Sequence, residues 1–176
     1  MTLAPDLTST TTNIRLAPFQ ESDVTDAYVA WMRDLAIIRF TEVAPNTATL
    51  DNCQGYVRSN NASTTSILWR VMMADVGHVG NIRMSLNTKH RRGELALIIG
   101  RADLHGRGIG GIAISMVRNH AFHALGLHKL TCGIYASNRG SKAAFAKCGF
   151  KVEATFRDHA VLDGHFEDVV RMACFA

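Results

Sequence analysis

Hydrophobic and polar positions along the chain recur at two spacings, and each spacing predicts its own kind of element. Alternation, or a short apolar run bounded by turn residues, predicts strands over 14–19, 67–74, 79–86, 94–99, 130–135, 150–156 and 166–175. Apolar residues three and four apart predict helices over 21–32, 49–60 and 108–125, and a shorter helix from Asn138 to Gly149. Glu21-Ser-Asp23 opens the first of these, with Asp34 near its end, and Thr49 is the N-cap of the second. In the third, Ile109, Ile112, Ala113, Met116 and His120 share a face, and Gly126 follows as the residue that stops it. Asp75-Val-Gly77 and 87–93 read as turns between strands, and Leu162-Asp-Gly164 joins the last two strands. The chain is therefore of the α/β (α+β) class, without internal repeats.

Composition narrows the picture without changing it. At 176 residues the chain can bury a real core as one domain, placed at 14–176, after a Thr-rich polar stretch at 1–13 that reads as a flexible tail. No apolar run approaches the roughly 20 residues of a membrane span. Met1 to Asn13 also lacks the basic and apolar regions of a secretory leader, so a cytoplasmic location is expected. The net charge of +4 suits an anionic cofactor, but the Lys and Arg residues are scattered, which argues against a nucleic-acid partner. The one basic cluster, Lys89-His-Arg-Arg92, reads as a solvated turn or a contact for a substrate phosphate. Cys53, Cys132, Cys148 and Cys174 have no C-x-x-C spacing and sit among apolar residues, as reduced core thiols do. His120 and His123 are one helical turn apart, but no carboxylate or Cys stands at ligand spacing beside them, so no metal site is expected.

The chemistry concentrates in Leu104-His-Gly-Arg-Gly-Ile-Gly-Gly111, which runs into the long helix. Its glycines let the backbone turn and approach a ligand closely, and the helix they open presents unpaired amides to an anion. A P-loop is excluded because no Lys-Ser or Lys-Thr follows. Gly106, Gly108 and Gly111 do satisfy G-x-G-x-x-G, but the next strand ends in Ala136-Ser-Asn138 without the acidic residue that holds a ribose.

The loop His105-Gly-Arg-Gly-Ile-Gly110, the strand Gly93 to Gly100 before it, and Asn138-Arg-Gly-Ser141 followed by Phe145-Ala-Lys-Cys-Gly-Phe150 together resemble the GNAT superfamily of N-acetyltransferases. Within it they are similar to the branch with ribosomal-protein and amino-sugar acetyltransferases; His105 departs from the usual Gln or Arg. The resemblance implies a mixed, mostly antiparallel sheet flanked by helices, with two central strands parted for acetyl-CoA. It implies pantetheine contacts at Ile98 and Ile99, and diphosphate contacts at His105, Gly106, Arg107, Gly108, Ile109, Gly110 and Gly111. Asn138, Ser141 and Lys147 of the second motif join the cofactor site on the same ground. Asn138 is equally explained as a helix N-cap.

For catalysis, Glu94 is the candidate base: a lone carboxylate in an otherwise apolar strand loses solvation, and its proton affinity rises. The plain alternative is a strand-end glutamate paired with Arg91 or Arg92. Phe145 stands where many GNAT enzymes have a Tyr acid, which leaves Ser141 or water to protonate the thiolate. Trp31 and Phe40 are candidate acceptor contacts, because Tyr28 to Asp34, followed by Ile38 to Glu42, resembles members acting on nucleotide-linked amino sugars; core packing explains them equally. His159 and His165 flank the last turn, where the family closes over its acceptor. Leu162 to Asp168 resembles the branch that modifies protein N-termini, so a small-molecule amine, such as an amino sugar, and a protein α-amine both stand as acceptors. The resemblance leaves a homodimer open. A catalytically silent acetyl-CoA sensor is the reading from another class, and such a module has no need of Glu94 and Ser141.

Overall fold

The computed structural model describes residues 4–176. One eight-stranded sheet runs through it in the order β1-β2-β3-β4-β5-β6-β8-β7. The strands are β1 (Leu7–Thr8), β2 (Ile14–Pro18), β3 (Ser66–Met73), β4 (Gly77–Asn87), β5 (Arg92–Ile99), β6 (Lys129–Tyr135), β7 (Lys151–Leu162) and β8 (His165–Phe175). The helices are α1 (Asp26–Arg33), α2 (Leu35–Ile38), α3 (Leu50–Ala62), α4 (Ile109–Asn119) and α5 (Arg139–Lys147). Neighbouring strands are antiparallel except β5 and β6, which the crossover through α4 makes parallel. The sheet is mixed and mostly antiparallel, as expected.

Alternation along the central strands divides two layers of core. Ile82 and Met84 of β4, and Leu95, Leu97 and Ile99 of β5, face α4 and α5 in one cluster that includes Ile114, Val117 and Phe145. Ile98 points the other way, into a second cluster where Phe19, Tyr28, Trp31, Met32, Cys53 and Val57 pack α1 and α3 onto the opposite face. Gly100 is where this second layer comes closest to the sheet, since a Cβ there would lie 2.0 Å from the Trp31 ring.

Several boundaries differ from the pattern-based reading, each for a local reason. The first helix does not run over 21–32: a 3₁₀ turn at Glu21–Asp23 ends at extended Val24, and α1 starts afresh with Thr25 capping Tyr28 N–H at 3.3 Å. Asp34, expected near a helix end, closes α1 and also caps α2 by accepting from Ala36 N–H at 2.9 Å. The helix over 108–125 is α4 continued by a π turn at His120–Ala124, where Leu125 N–H reaches His120 O, and Gly126 stops it at φ +61. The strand expected over 150–156 continues to Leu162 past an irregularity after Phe156, and Asp163 and Gly164, at φ +51 and +80, make the hairpin turn.

The stretch 1–13 is not a loose tail over its described part. Leu7–Thr8 pairs with β2, Ala4 is buried, and Trp69 Nε1–H donates to Pro5 O at 2.9 Å. Thr8 lies in that edge strand, and the N–H groups of Thr11 and Thr12 donate to Ser9 Oγ in the turn before β2; residues 1–3 of the expected tail lie outside the described residues.

Candidate active site

β5 and β6 pair only over Arg92–Glu94 and Lys129–Thr131. Beyond that, β5 stays with β4 as far as Ile99 and β6 stays with β8 as far as Tyr135, so the two strands part and leave a gap in the middle of the sheet. Gly100 N–H donates to Val79 O at 2.9 Å. Bonding sides alternate along a strand, so Ile98 and Ala96 belong to the β4 ladder while Leu95, Leu97 and Ile99 turn their amides to the gap. Of the expected pair, Ile99 therefore turns its amide to the gap and Ile98 does not, although the Ile98 side chain lines the cavity there; Leu97, missed from sequence, also turns its amide to the gap. The apolar run Leu95 to Ile99 has no mark of which residues bond to which neighbour, and only the register supplies it.

At the end of β5 the chain enters the glycine loop. Gly106 and Gly108 have φ +77 and +81, a region in which a side chain is strained, and Gly108 is the N-cap of α4. The first helical bond is Ile112 N–H to Gly108 O, so the amides of Gly108, Ile109, Gly110 and Gly111 have no backbone acceptor. Arg107 N–H is held by Leu104 O at 3.4 Å and its exposed side chain extends the positive character of the rim. His105 sets the loop on the strand: its Nε2 lies 2.8 Å from Ile99 O. Four orphan amides at a helix start form a cradle that fits a diphosphate.

β6 leads into α5, where Asn138 Oδ1 accepts from Ser141 N–H at 3.0 Å. Asn138 is thus the N-cap, and both residues line the gap together with Phe145, whose ring is buried edge-on against Phe150. Lys147 is exposed in the last turn of α5.

A cavity of about 800 Å³ passes through the gap to the α1–α3 face. Glu94 lines it where the strands separate, but is not the desolvated carboxylate that the sequence suggests. It is exposed, and Arg171 Nη1 on β8 donates to its Oε1 at 2.6 Å; neither Arg91 nor Arg92 is the partner. Arg91 instead binds Gly126 O, through Nε and Nη2 at 2.9 and 2.6 Å. The correction comes from β8, distant in sequence and adjacent in space.

Residues from the loop after α2 close the far side. Glu42 accepts from the Tyr135 hydroxyl at 2.6 Å, which with burial pushes the phenol up to about 12. Phe40 lies 6.0 Å from the Tyr135 ring and lines the cavity. Trp31 does not: it is 9% exposed and packed against Tyr28 and His78 in the core. His159 lines a smaller recess beside Glu42 and Tyr135, while His165 is exposed at the start of β8 and lines neither space. Asn81, Arg83 and Ser85, alternate residues of β4, form part of the cavity floor. Sequence reasoning missed Glu42, Tyr135, Asn81 and Arg83. The alternation of Asn81-Ile-Arg-Met-Ser85 was visible, but it reads the same whether its polar face meets solvent or a cavity.

The four cysteines are free and buried, as expected. No group of His, Cys, Asp and Glu suited to a metal ion exists among the described residues. No described helix is long and apolar enough to cross a membrane.

The chain is 36% identical over 64 residues to the probable N-acetyltransferase YjcK of Bacillus subtilis, a match covering 36% of this chain and 35% of that protein. It therefore spans about a third of the length of that curated relative. Among solved structures, the spermidine N-acetyltransferase of Vibrio cholerae in complex with CoA and spermine superposes with a TM-score of 0.84 at 20% identity, over 93% of this chain and 95% of that one. RimL, a ribosomal L7/L12 alpha-N-protein acetyltransferase in complex with CoA, superposes with a TM-score of 0.86 at 15% identity, over 97% and 98%. The model of the acetyltransferase (GNAT) domain matches residues 13–151, which takes in the parted strands, the glycine loop and α5. A match over that much of the chain makes it a member of the GNAT acetyltransferase family.

Proposed function

We propose that the protein transfers the acetyl group of acetyl-CoA to the primary amine of a small molecule, in the cytoplasm. The observation that carries this reading is the gap between β5 and β6, with an amide cradle on one face of the sheet and an open cavity on the other. The orphan amides of Gly108 to Gly111 take the diphosphate, and the amides of Leu97 and Ile99 hold the arm of the donor and the thioester oxygen. The amine enters from the α1–α3 side. A C–N bond forms, the C–S bond breaks, and of the two protons the ammonium gives up, one goes to a base and one to the departing sulfur.

Two carboxylates reach the acceptor side. A proton placed on Glu94 disrupts its ion pair with Arg171, whereas a proton placed on Glu42 disturbs only a hydrogen bond from a phenol. Glu42, steadied by Tyr135, is therefore the better acceptor of the amine's proton, and Glu94 acting directly or through water is the alternative. Ser141 at the start of α5 relays the second of these protons from the amine nitrogen to the departing sulfur, in place of the phenol that Phe145 lacks. An amino-sugar acceptor draws no support from Trp31, which is core. The size of the cavity favours a small amine over a protein N-terminus, and a homodimer is compatible with this arrangement.

The test is mass detection of products after incubation with acetyl-CoA and, in parallel, small primary amines and peptides with free N-termini. Acetylated small amines are expected. Acetylation of peptides alone would move the protein to N-terminal modification, and tight acetyl-CoA binding without any product would support the sensor reading.

A further inference from the structure

Three buried side-chain polar atoms have no hydrogen-bond partner among the described residues: Asn81 Oδ1, Arg83 Nε and His120 Nε2. Native interiors rarely leave such atoms unpaired, because each forfeits its hydration without a replacement. Two of the three stand on the same face of β4, two residues apart, and line the same cavity. The coincidence of place is the informative part.

Comparison within the molecule shows how unusual the pair is. Asn60 is buried to the same degree as Asn81, at 9% and 7% exposure, yet Asn60 donates to Tyr56 O at 2.8 Å and accepts from Ser66 at 2.6 Å. Arg70 and Arg171, the other partly buried arginines of the sheet, hold Asp23 and Glu94 at 3.0 and 2.6 Å. Arg83 is likewise partly buried, but no carboxylate oxygen of the described residues lies within 4.0 Å of it and none of its nitrogens donates to the protein. A guanidinium held in a cavity without a counter-charge is a stable arrangement only when an anion or water meets it there.

The walls do not provide that anion. Ala96 is opposite Arg83 on β5, and α3 contributes the neutral residues Asn52, Cys53 and Tyr56. The two carboxylates of the cavity, Glu42 and Glu94, are bonded to Tyr135 and Arg171. Nor does the donor provide it, since the cradle for its phosphates opens from the α4 face of the sheet, while Arg83 is on the α1–α3 face.

We infer that Asn81 and Arg83 form a subsite for an anionic group, a carboxylate or a phosphate, borne by the acceptor amine itself. The inference rests on the acetyl transfer proposed above and specifies its acceptor: an amine that also carries an acid group. The Asn81 carboxamide can present either an oxygen or its NH₂ to such a group, and Arg83 supplies a fork of N–H donors matched to its oxygens. At the other side of the cavity, the Glu42 carboxylate offers a place for the ammonium. A linear polycation fits poorly here, since a second ammonium would meet the guanidinium.

The experiment measures kcat/KM of the full chain with acetyl-CoA for matched acceptors: an α-amino acid and its carboxamide, an amino sugar and its phosphate, a nucleotide-linked amino sugar, and spermidine. The acid-bearing member of a pair is expected to be preferred at least about tenfold, mainly through KM. Arg83→Gln should collapse that ratio, and Arg83→Lys should restore part of it; thermal melting confirms that each variant is folded. Preference for the amino acid assigns a carboxylate site, and preference for the phosphorylated or nucleotide-linked sugar assigns a phosphate site. Equal use of both members, a preference for spermidine, or a ratio unchanged in folded Arg83→Gln would overturn the subsite while leaving acetyl transfer standing. Absence of any acetylated amine with the unaltered protein would overturn both.

Discussion

Single residues decide where protons go in this site. Glu94 and Glu42 are both carboxylates at the edge of one cavity, and they differ in what holds them, a guanidinium for Glu94 and a phenol for Glu42. Replacing Glu42 by Gln is expected to lower kcat by about 10²- to 10⁴-fold, the range for loss of a general base, with acetyl-CoA affinity unchanged. Glu94→Gln is expected to lower it by less than about tenfold, since its ion pair with Arg171 is mainly a tie between β5 and β8. Steady-state kinetics at several pH values, beside calorimetric titration of acetyl-CoA, checks both; the reverse order would return the role of base to Glu94. Ser141 lies one helical turn before Phe145 on the same cavity wall, which makes it the proposed carrier of the sulfur's proton.

At the scale of elements, the N-terminus of α4 is the proposed donor site, where Gly106 and Gly108 hold a backbone that other residues resist. A Cβ at Gly108 would meet nothing within 4 Å, so crowding is not the reason for glycine there; the φ of +81 is. Gly108→Val is therefore expected to destabilise the fold by about 1–3 kcal/mol if the loop keeps its shape, or to let the loop relax and scatter the amides. Calorimetry should show a loss of acetyl-CoA affinity of at least about tenfold, whereas affinity equal to that of the unaltered protein would detach the cradle from the donor. Gly110 answers to a different constraint. Its φ is ordinary, but a Cβ would stand 3.1 Å from Leu97 Cδ2, so it sets how closely α4 approaches β5. The elements that differ from expectation, the break before α1 and the π turn after α4, are both at helix ends, where side-chain caps and stray carbonyls compete with the regular pattern.

For the whole molecule, the second core layer links acid sensitivity to the acceptor side. His78 is enclosed by Phe19, Tyr28 and Trp31, and burial lowers its imidazole from the ordinary 6.5 to about 4, against smaller opposing influences of the Gly80 carbonyl and Asp23. The unfolded chain binds this proton more readily than the native one between those values. The stability contributed by neutral His78 is therefore complete above pH about 6.5 and is lost as the pH falls toward about 4. His120, also pushed down by burial, acts in the same direction. Melting temperatures measured from pH 7 to 4 should fall, and His78→Phe should flatten part of that decline; a slope identical in the variant would place the sensitivity elsewhere.

The sequence by itself determined the class of fold, the run of elements, the glycine loop and the caps at Thr49 and Asn138, because each is written in residues within a few positions of one another. Gly106, Gly108 and Gly126 take the positive φ their positions suggested, and Asn138 caps α5 as its spacing to Ser141 implied. What only the tertiary structure decided is which side chains share the cavity. Arg171 reaches Glu94 across 77 positions of chain, and Tyr135 reaches Glu42 across 93. Trp31 becomes core because Gly100 lets it approach, and Arg83 has no counter-charge among the described residues because β3 and β5 bring Leu68 and Ala96 opposite it. Such pairings depend on strand order, register and the point at which β5 and β6 separate, and local patterning of polar and apolar residues is the same for many arrangements of those three.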